Sequence, residues 1–152
     1  MSHILIVDDD ELIAELARDA MFCAGHTSTW VQTAETAWEN LKRQRSDLVL
    51  LDQHMPGMTG VSLLRQLRSS PDFYDLPVIM LTAMTGAVDE DRALFAGAND
   101  YVRKPFTQNG LANAVDRLLM KRGAQSRMDL KSRVAQDSGQ SGFEPAKVRR
   151  LI

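Results

Sequence analysis

Three short stretches of this chain are apolar at almost every position: "ILIV" (4–7), "DLVLL" (47–51) and "PVIML" (77–81). A strand with one face in water alternates apolar and polar residues. A strand that is apolar throughout is covered on both faces, as happens where helices pack on either side of a parallel sheet. Two weaker segments fit the same role, the β-branched "TSTWV" (27–31) and the short "DYV" (100–102).

Helical spacing fills the intervals. Leu12, Ile13, Leu16, Ala17, Ala20 and Met21 recur at three and four, with Asp10 placed to cap and Gly25 to stop. Ala34, Ala37, Trp38 and Leu41 form a second stripe. Leu63, Leu64 and Leu67 form a third, between Gly60 and Pro71. Leu94 and Phe95 mark a fourth, ended by Gly97, and Leu111, Val115, Leu118 and Leu119 a fifth. Five strands alternating strictly with five helices predict an α/β domain with a parallel sheet and right-handed crossovers. After Arg122 the apolar spacing fades and Gln, Ser and Gly rise. Residues 1–122 hold 12 basic and 17 acidic side chains, net −5, whereas 123–152 hold 6 and 3, net +3. The expected organisation is one domain over 1–122 and a polar, net basic tail or linker over 123–152, disordered or partly helical.

Composition narrows the function classes. A net charge of −2 gives no global reason to expect nucleic acid as a partner. The single cysteine, Cys23, allows no internal disulfide and is read as a small core residue on a helix. No apolar run is long enough to cross a membrane, and the N-terminus "MSHILIVDDDE" is not a signal peptide, so a cytoplasmic protein is expected.

In an open α/β sheet, ligands bind beyond the carboxyl ends of the strands. The residues just past each apolar run are therefore the candidates for chemistry. The first strand ends in Asp8, Asp9 and Asp10, the third in Asp52, the fourth in Thr82, and the fifth leads into Arg103, Lys104 and Pro105. Clustered carboxylates repel and call for a cation, and all-oxygen donors with room for water suit Mg²⁺. A hard divalent ion beside an Asp, with a Lys and a hydroxyl close by, makes a phosphoryl site in which the Asp itself can accept the group. Lys104 would offset charge on that group and Thr82 would hydrogen-bond one of its oxygens. Asp10 is assigned to the helix cap rather than to the cation.

The segments "ILIVDDDELI", "VLLDQHMPGMTG", "VIMLTA" and "GANDYVRKPF" resemble, in order and spacing, the signature segments of response-regulator receiver domains of the chemotaxis-regulator type. The resemblance covers residues 3 to about 121. It implies a doubly wound, flavodoxin-like (βα)5 sandwich with sheet order 2-1-3-4-5. It implies Asp52 as phosphoacceptor, Asp9 as a direct Mg²⁺ ligand, Asp8 acting mainly through a metal-bound water, and the His54 backbone carbonyl as a further ligand. Thr82 becomes the switch hydroxyl, Tyr101 the switch aromatic and Lys104 the phosphate-binding lysine, with a cis Lys104–Pro105 bond. A sensor histidine kinase or a histidine phosphotransfer protein would donate the phosphoryl group. The face of the fourth helix, fifth strand and fifth helix would respond and could form a homodimer. Such a chain is not an enzyme in the ordinary sense, although it catalyses its own phosphorylation and dephosphorylation. The alternative reading is the receiver fragment of a larger regulator whose output domain (cyclase, phosphodiesterase, kinase or DNA-binding) lies outside this chain.

Two competing classes fit less well. A haloacid-dehalogenase-type phosphatase needs a second Asp two residues after its nucleophile, where this chain has His54. A DNA-binding regulator needs a helix-turn-helix pattern, and none follows residue 122. The His54 imidazole is expected at the rim of the site, where with Met84 it could tune water access. Asp89, Glu90 and Asp91 read as acids favouring the start of the fourth helix.

Overall fold

The computed structural model describes residues 1–83, 94 and 96–139. Five strands form one parallel sheet: β1 (His3–Val7), β2 (Thr27–Val31), β3 (Leu48–Asp52), β4 (Val78–Thr82) and β5 (Asp100–Arg103). Their order is β2-β1-β3-β4-β5, as the resemblance implied. Four helices are described: α1 (Glu11–Cys23), α2 (Ala34–Arg43), α3 (Gly60–Arg68) and α4 (Gln108–Gly139). The helical pattern at Leu94 and Phe95 falls outside the described residues except for Leu94, and so do Met84 and the acids at 89–91.

The continuous apolarity of the strands has a direct cause. Alternate residues serve two separate cores. Leu5, Val7, Val49, Leu51, Val78 and Met80 pack on one side with α2 and α3. Ile4, Ile6, Leu48, Leu50, Ile79 and Leu81 pack on the other with α1 and the start of α4. The β1, β3 and β4 interior residues are buried on both faces because both faces are covered.

Two expectations about α1 are corrected. Its buried residues are Ala14, Ala17, Ala20 and Met21, while Leu12 is 72% exposed and Leu16 43%. Three alanines and Met21, rather than the leucines, join the core under the sheet. Cys23 is exposed rather than a core residue, because the last turn of α1 buries Ala20 and Met21 and turns position 23 outward. Asp10 does cap this helix: its Oδ1 accepts from the N–H groups of Leu12 (2.9 Å) and Ile13 (3.4 Å).

Met1–Leu119 form one compact unit, and a second begins at Met120. Within that second unit the described residues are helical, α4 continuing through Gly139, well past the end of the apolar stripe at Leu119. Residues 124–136 contain neither Pro nor Gly and are rich in good helix formers, so backbone propensity persists where apolar periodicity does not. No described helix is long and apolar enough to cross a membrane.

Candidate functional site

The ladder hydrogen bonds run one residue beyond the formal strand ends. Gln53 N–H donates to Leu81 O (3.1 Å) and Lys104 N–H to Thr82 O (2.8 Å). These rungs, with the pairing of Asp52 beside Leu81 and Thr82 beside Arg103, bring the ends of β3, β4 and β5 level. The end of β1 is held on its other side by Asp8 N–H to Val31 O (3.2 Å) and the Trp30 indole N–H to Asp8 O (2.8 Å).

Asp8, Asp9 and Asp52 therefore converge, each with a carboxylate oxygen within 4.8 Å of the others. Asp8 is fully buried, Asp52 is 5% exposed and Asp9 is exposed. Lys104 reaches across from beyond β5. Its Nζ donates to Asp8 Oδ2 at 2.8 Å and to Asp52 Oδ1 at 3.1 Å. The other Asp8 oxygen accepts from the Asp10 N–H at 2.9 Å, and the His54 N–H lies 3.4 Å from Asp52 Oδ1. The Lys104–Pro105 peptide bond is cis.

Burial, followed by the charge of Asp8, pushes the Asp52 carboxyl up from 3.8 to about 6, although Lys104 and the His54 N–H pull the other way. Burial also works against the Lys104 ammonium. The hydrogen bond to Asp8 and the charge of Asp52 outweigh it and hold its pKa above the ordinary lysine value. Counted at formal charge, three carboxylates and one ammonium give the cluster two negative charges. An all-oxygen donor set with that excess fits a hard divalent cation, and these residues can hold one.

Of the other residues singled out in the sequence, Thr82 is 3% exposed at the end of β4. Tyr101 packs partly buried against the core on the α2/α3 side. His54 is exposed at the rim. Asp10 is committed to the helix cap. A cleft of about 640 Å³ lined by Arg18, Phe22 and His26 lies at the opposite edge of the sheet and takes no part.

Two residues at the site gave no clear sign in the sequence. Gln53 is 8% exposed although it looks like a polar turn residue. Gly60 opens α3 so close to β3 that a Cβ there would overlap Asp52 O and stand 3.0 Å from Gln53 Cα. Both obstacles are backbone. Gly60→Ala is expected to lower stability by about 2 kcal/mol or more, read as a fall in the urea midpoint; an unchanged midpoint would show that α3 can retreat.

Residues 4–116 match the family model described as the response regulator receiver domain. The chain is 40% identical over 105 residues to the transcriptional regulatory protein CseB of Streptomyces coelicolor, covering 69% of this chain and 44% of that protein. It is 38% identical over 113 residues to the DNA-binding response regulator MtrA of Mycolicibacterium smegmatis, covering 74% and 48%. Among solved structures it is similar to the signal receiver domain of a histidine kinase from Syntrophus aciditrophicus, with TM-score 0.74, 36% identity, and 80% and 92% of the two chains covered. It is also similar to a CheY-like receiver domain protein from Methanospirillum hungatei, with TM-score 0.75, 25% identity, and 82% and 98% covered. The chain belongs to the response regulator receiver domain family of two-component signalling. It spans about half the length of the curated relatives it matches.

Proposed function

We propose that this receiver accepts a phosphoryl group on Asp52, from a phosphohistidine of a sensor kinase or a histidine phosphotransfer protein, and relays the change to a partner-binding surface. The observation that carries the reading is the buried Asp52 carboxylate, with a lysine ammonium at 3.1 Å and two further acids around it. An Asp52 oxygen attacks phosphorus, the phosphorus–nitrogen bond breaks, and the imidazole leaves with the electron pair. Hydrolysis later returns the carboxylate and inorganic phosphate. Asp9, Asp52 and the His54 carbonyl would hold Mg²⁺, with Asp8 acting mainly through a metal-bound water, and the ion would supply charge neutralisation at the phosphoryl group. Lys104, which bridges Asp8 and Asp52 before the reaction, is placed to contact a phosphoryl oxygen after it.

Phosphorylation adds roughly two negative charges and several strong acceptors. Thr82 moves its hydroxyl toward them and Tyr101 turns inward into the space left. The surface made by the segment carrying Leu94, with β5 and α4, then repacks and can pair with a second copy or another partner. The receiver occupies residues 1–122, residues 123–152 form a net basic connecting or terminal segment, and the protein works in the cytoplasm.

The test is intact-protein mass after incubation with acetyl phosphate. A gain of one phosphoryl group that requires Mg²⁺ and disappears in Asp52→Asn is the expected result. A folded, Mg²⁺-loaded wild type that gains nothing from acetyl phosphate or from beryllofluoride titration would overturn it.

A further inference from the structure

We infer that Gln53 is a positioning residue of the switch, its side-chain oxygen being the acceptor for the Tyr101 hydroxyl in the phosphorylated state. The inference rests on the phosphoacceptor reading above and adds to it a contact absent from this structure.

The starting observation is an acceptor without a donor. Gln53 is 8% exposed, and its Oε1 is buried with no hydrogen-bond partner among the described residues. Such an atom loses its water on folding and recovers nothing, so a native structure that keeps one has an unspent preference for any state that supplies a donor. Gln53 is well placed for this. Its N–H continues the β3 ladder onto Leu81 O, and side chains alternate along a strand. That puts Gln53 on the side of Val49 and Leu51, against α2 and α3, and Asp52 on the other side. Gln53 therefore does not face the phosphoryl group. It faces the space in which Thr82 and Tyr101 exchange places.

The register fixes the neighbours. Leu51 pairs with Met80, and Met80 pairs with Tyr101. Gln53 thus lies two strands across from Tyr101 and two residues further along, a diagonal of about 12 Å between Cα atoms. An inward phenol and an extended glutamine amide span that distance between them, with room for one hydrogen bond. Thr82, one strand from each, stands between them in this structure. Its departure toward the phosphoryl group is what opens the path. Thr82 itself cannot serve as the donor in the phosphorylated state, because its hydroxyl is then committed to the other side of β3. The hydroxyl that arrives on this side is that of Tyr101.

A double-mutant cycle tests this. Gln53→Met keeps length and burial but removes the acceptor, and Tyr101→Phe removes only the hydroxyl. Affinity for Mg²⁺–beryllofluoride, a phosphoryl mimic, is measured for the wild type, both single variants and the double variant. Each single change is expected to weaken binding about fivefold to tenfold, the worth of one net hydrogen bond. The double variant is expected to be no weaker than either single one. The same cycle on urea midpoints without the mimic is expected to be additive, because the bond is absent there, and a general structural role for Gln53 would show coupling in both. Factors that multiply in the double variant, or wild-type affinity in Gln53→Met, would overturn the inference and leave the phosphoacceptor reading standing. Failure of the wild type to bind the mimic would remove both.

Discussion

In metal-free buffer at pH 8, Asp52→Asn is expected to be about 2–3 kcal/mol more stable than the wild type. The folded protein holds the Asp52 carboxyl at about 6 against 3.8 for the free group, and a tenfold change in proton affinity is worth about 1.4 kcal/mol. A raised acid favours folding in its protonated form. Its contribution is therefore complete below about pH 4 and is lost as pH rises through about 6. Asparagine stays neutral and escapes that loss. The gap between the two proteins should open between pH 4 and 6, remain flat above pH 7 and vanish at pH 4. Saturating Mg²⁺ should narrow it from the wild-type side, since a bound cation stabilises only the protein whose carboxylate it neutralises. Urea unfolding across pH, in chelator and then in Mg²⁺, measures all of this. Equal stability at pH 8 in chelator would mean that Lys104 alone offsets the burial of Asp52.

Lys104→Met should have the opposite effect at the same pH. The ammonium is the cation that the described structure shows bonded to both Asp8 and Asp52. Removing it leaves two buried carboxylates facing each other, and breaking a buried pair in this way costs about 3–5 kcal/mol. We place the loss near the lower figure, about 3 kcal/mol at pH 8, because Asp9 and the rim of the site are exposed to water. The deficit should shrink as pH falls, because Asp52, now without the lysine that lowers its pKa, takes up a proton more readily. It should also shrink in Mg²⁺. A variant within about half a kcal/mol of the wild type at pH 8 in chelator would show that water already screens the two acids.

How much of this could be read from the chain differs by residue type. β1, β3 and β4 were legible because both faces are buried, which leaves an uninterrupted apolar run that few other structures produce. That the acids, Thr82 and Lys104 lie along one edge was legible because parallel strands all deliver their carboxyl ends to one edge. The inner face of α1 was legible in part, at Ala17, Ala20 and Met21. Leu12 and Leu16 carry much of the apolar signal yet stay exposed, because periodicity weights a residue by its hydrophobicity rather than by how closely it lets two backbones approach. Gln53 was hidden for a different reason. Its burial comes from α3 folding back through Gly60 onto the end of β3, a tertiary contact that leaves no mark in the four residues on either side. The apolar stripe stops at Leu119, and propensity rather than apolar spacing sustains α4 from there to Gly139.

The run of three aspartates at 8–10 looks in the sequence like a patch with members to spare. In the structure no two of them are interchangeable. Asp8 is fully buried, one oxygen held by the Lys104 ammonium and the other by the backbone of Asp10. Asp9 stands in solvent with one oxygen toward the cluster. Asp10 is turned away to fasten the first turn of α1. Three adjacent and chemically identical side chains have been given three separate surroundings by the bend of the chain: one buried and bonded on both oxygens, one in water, one spent on a helix end.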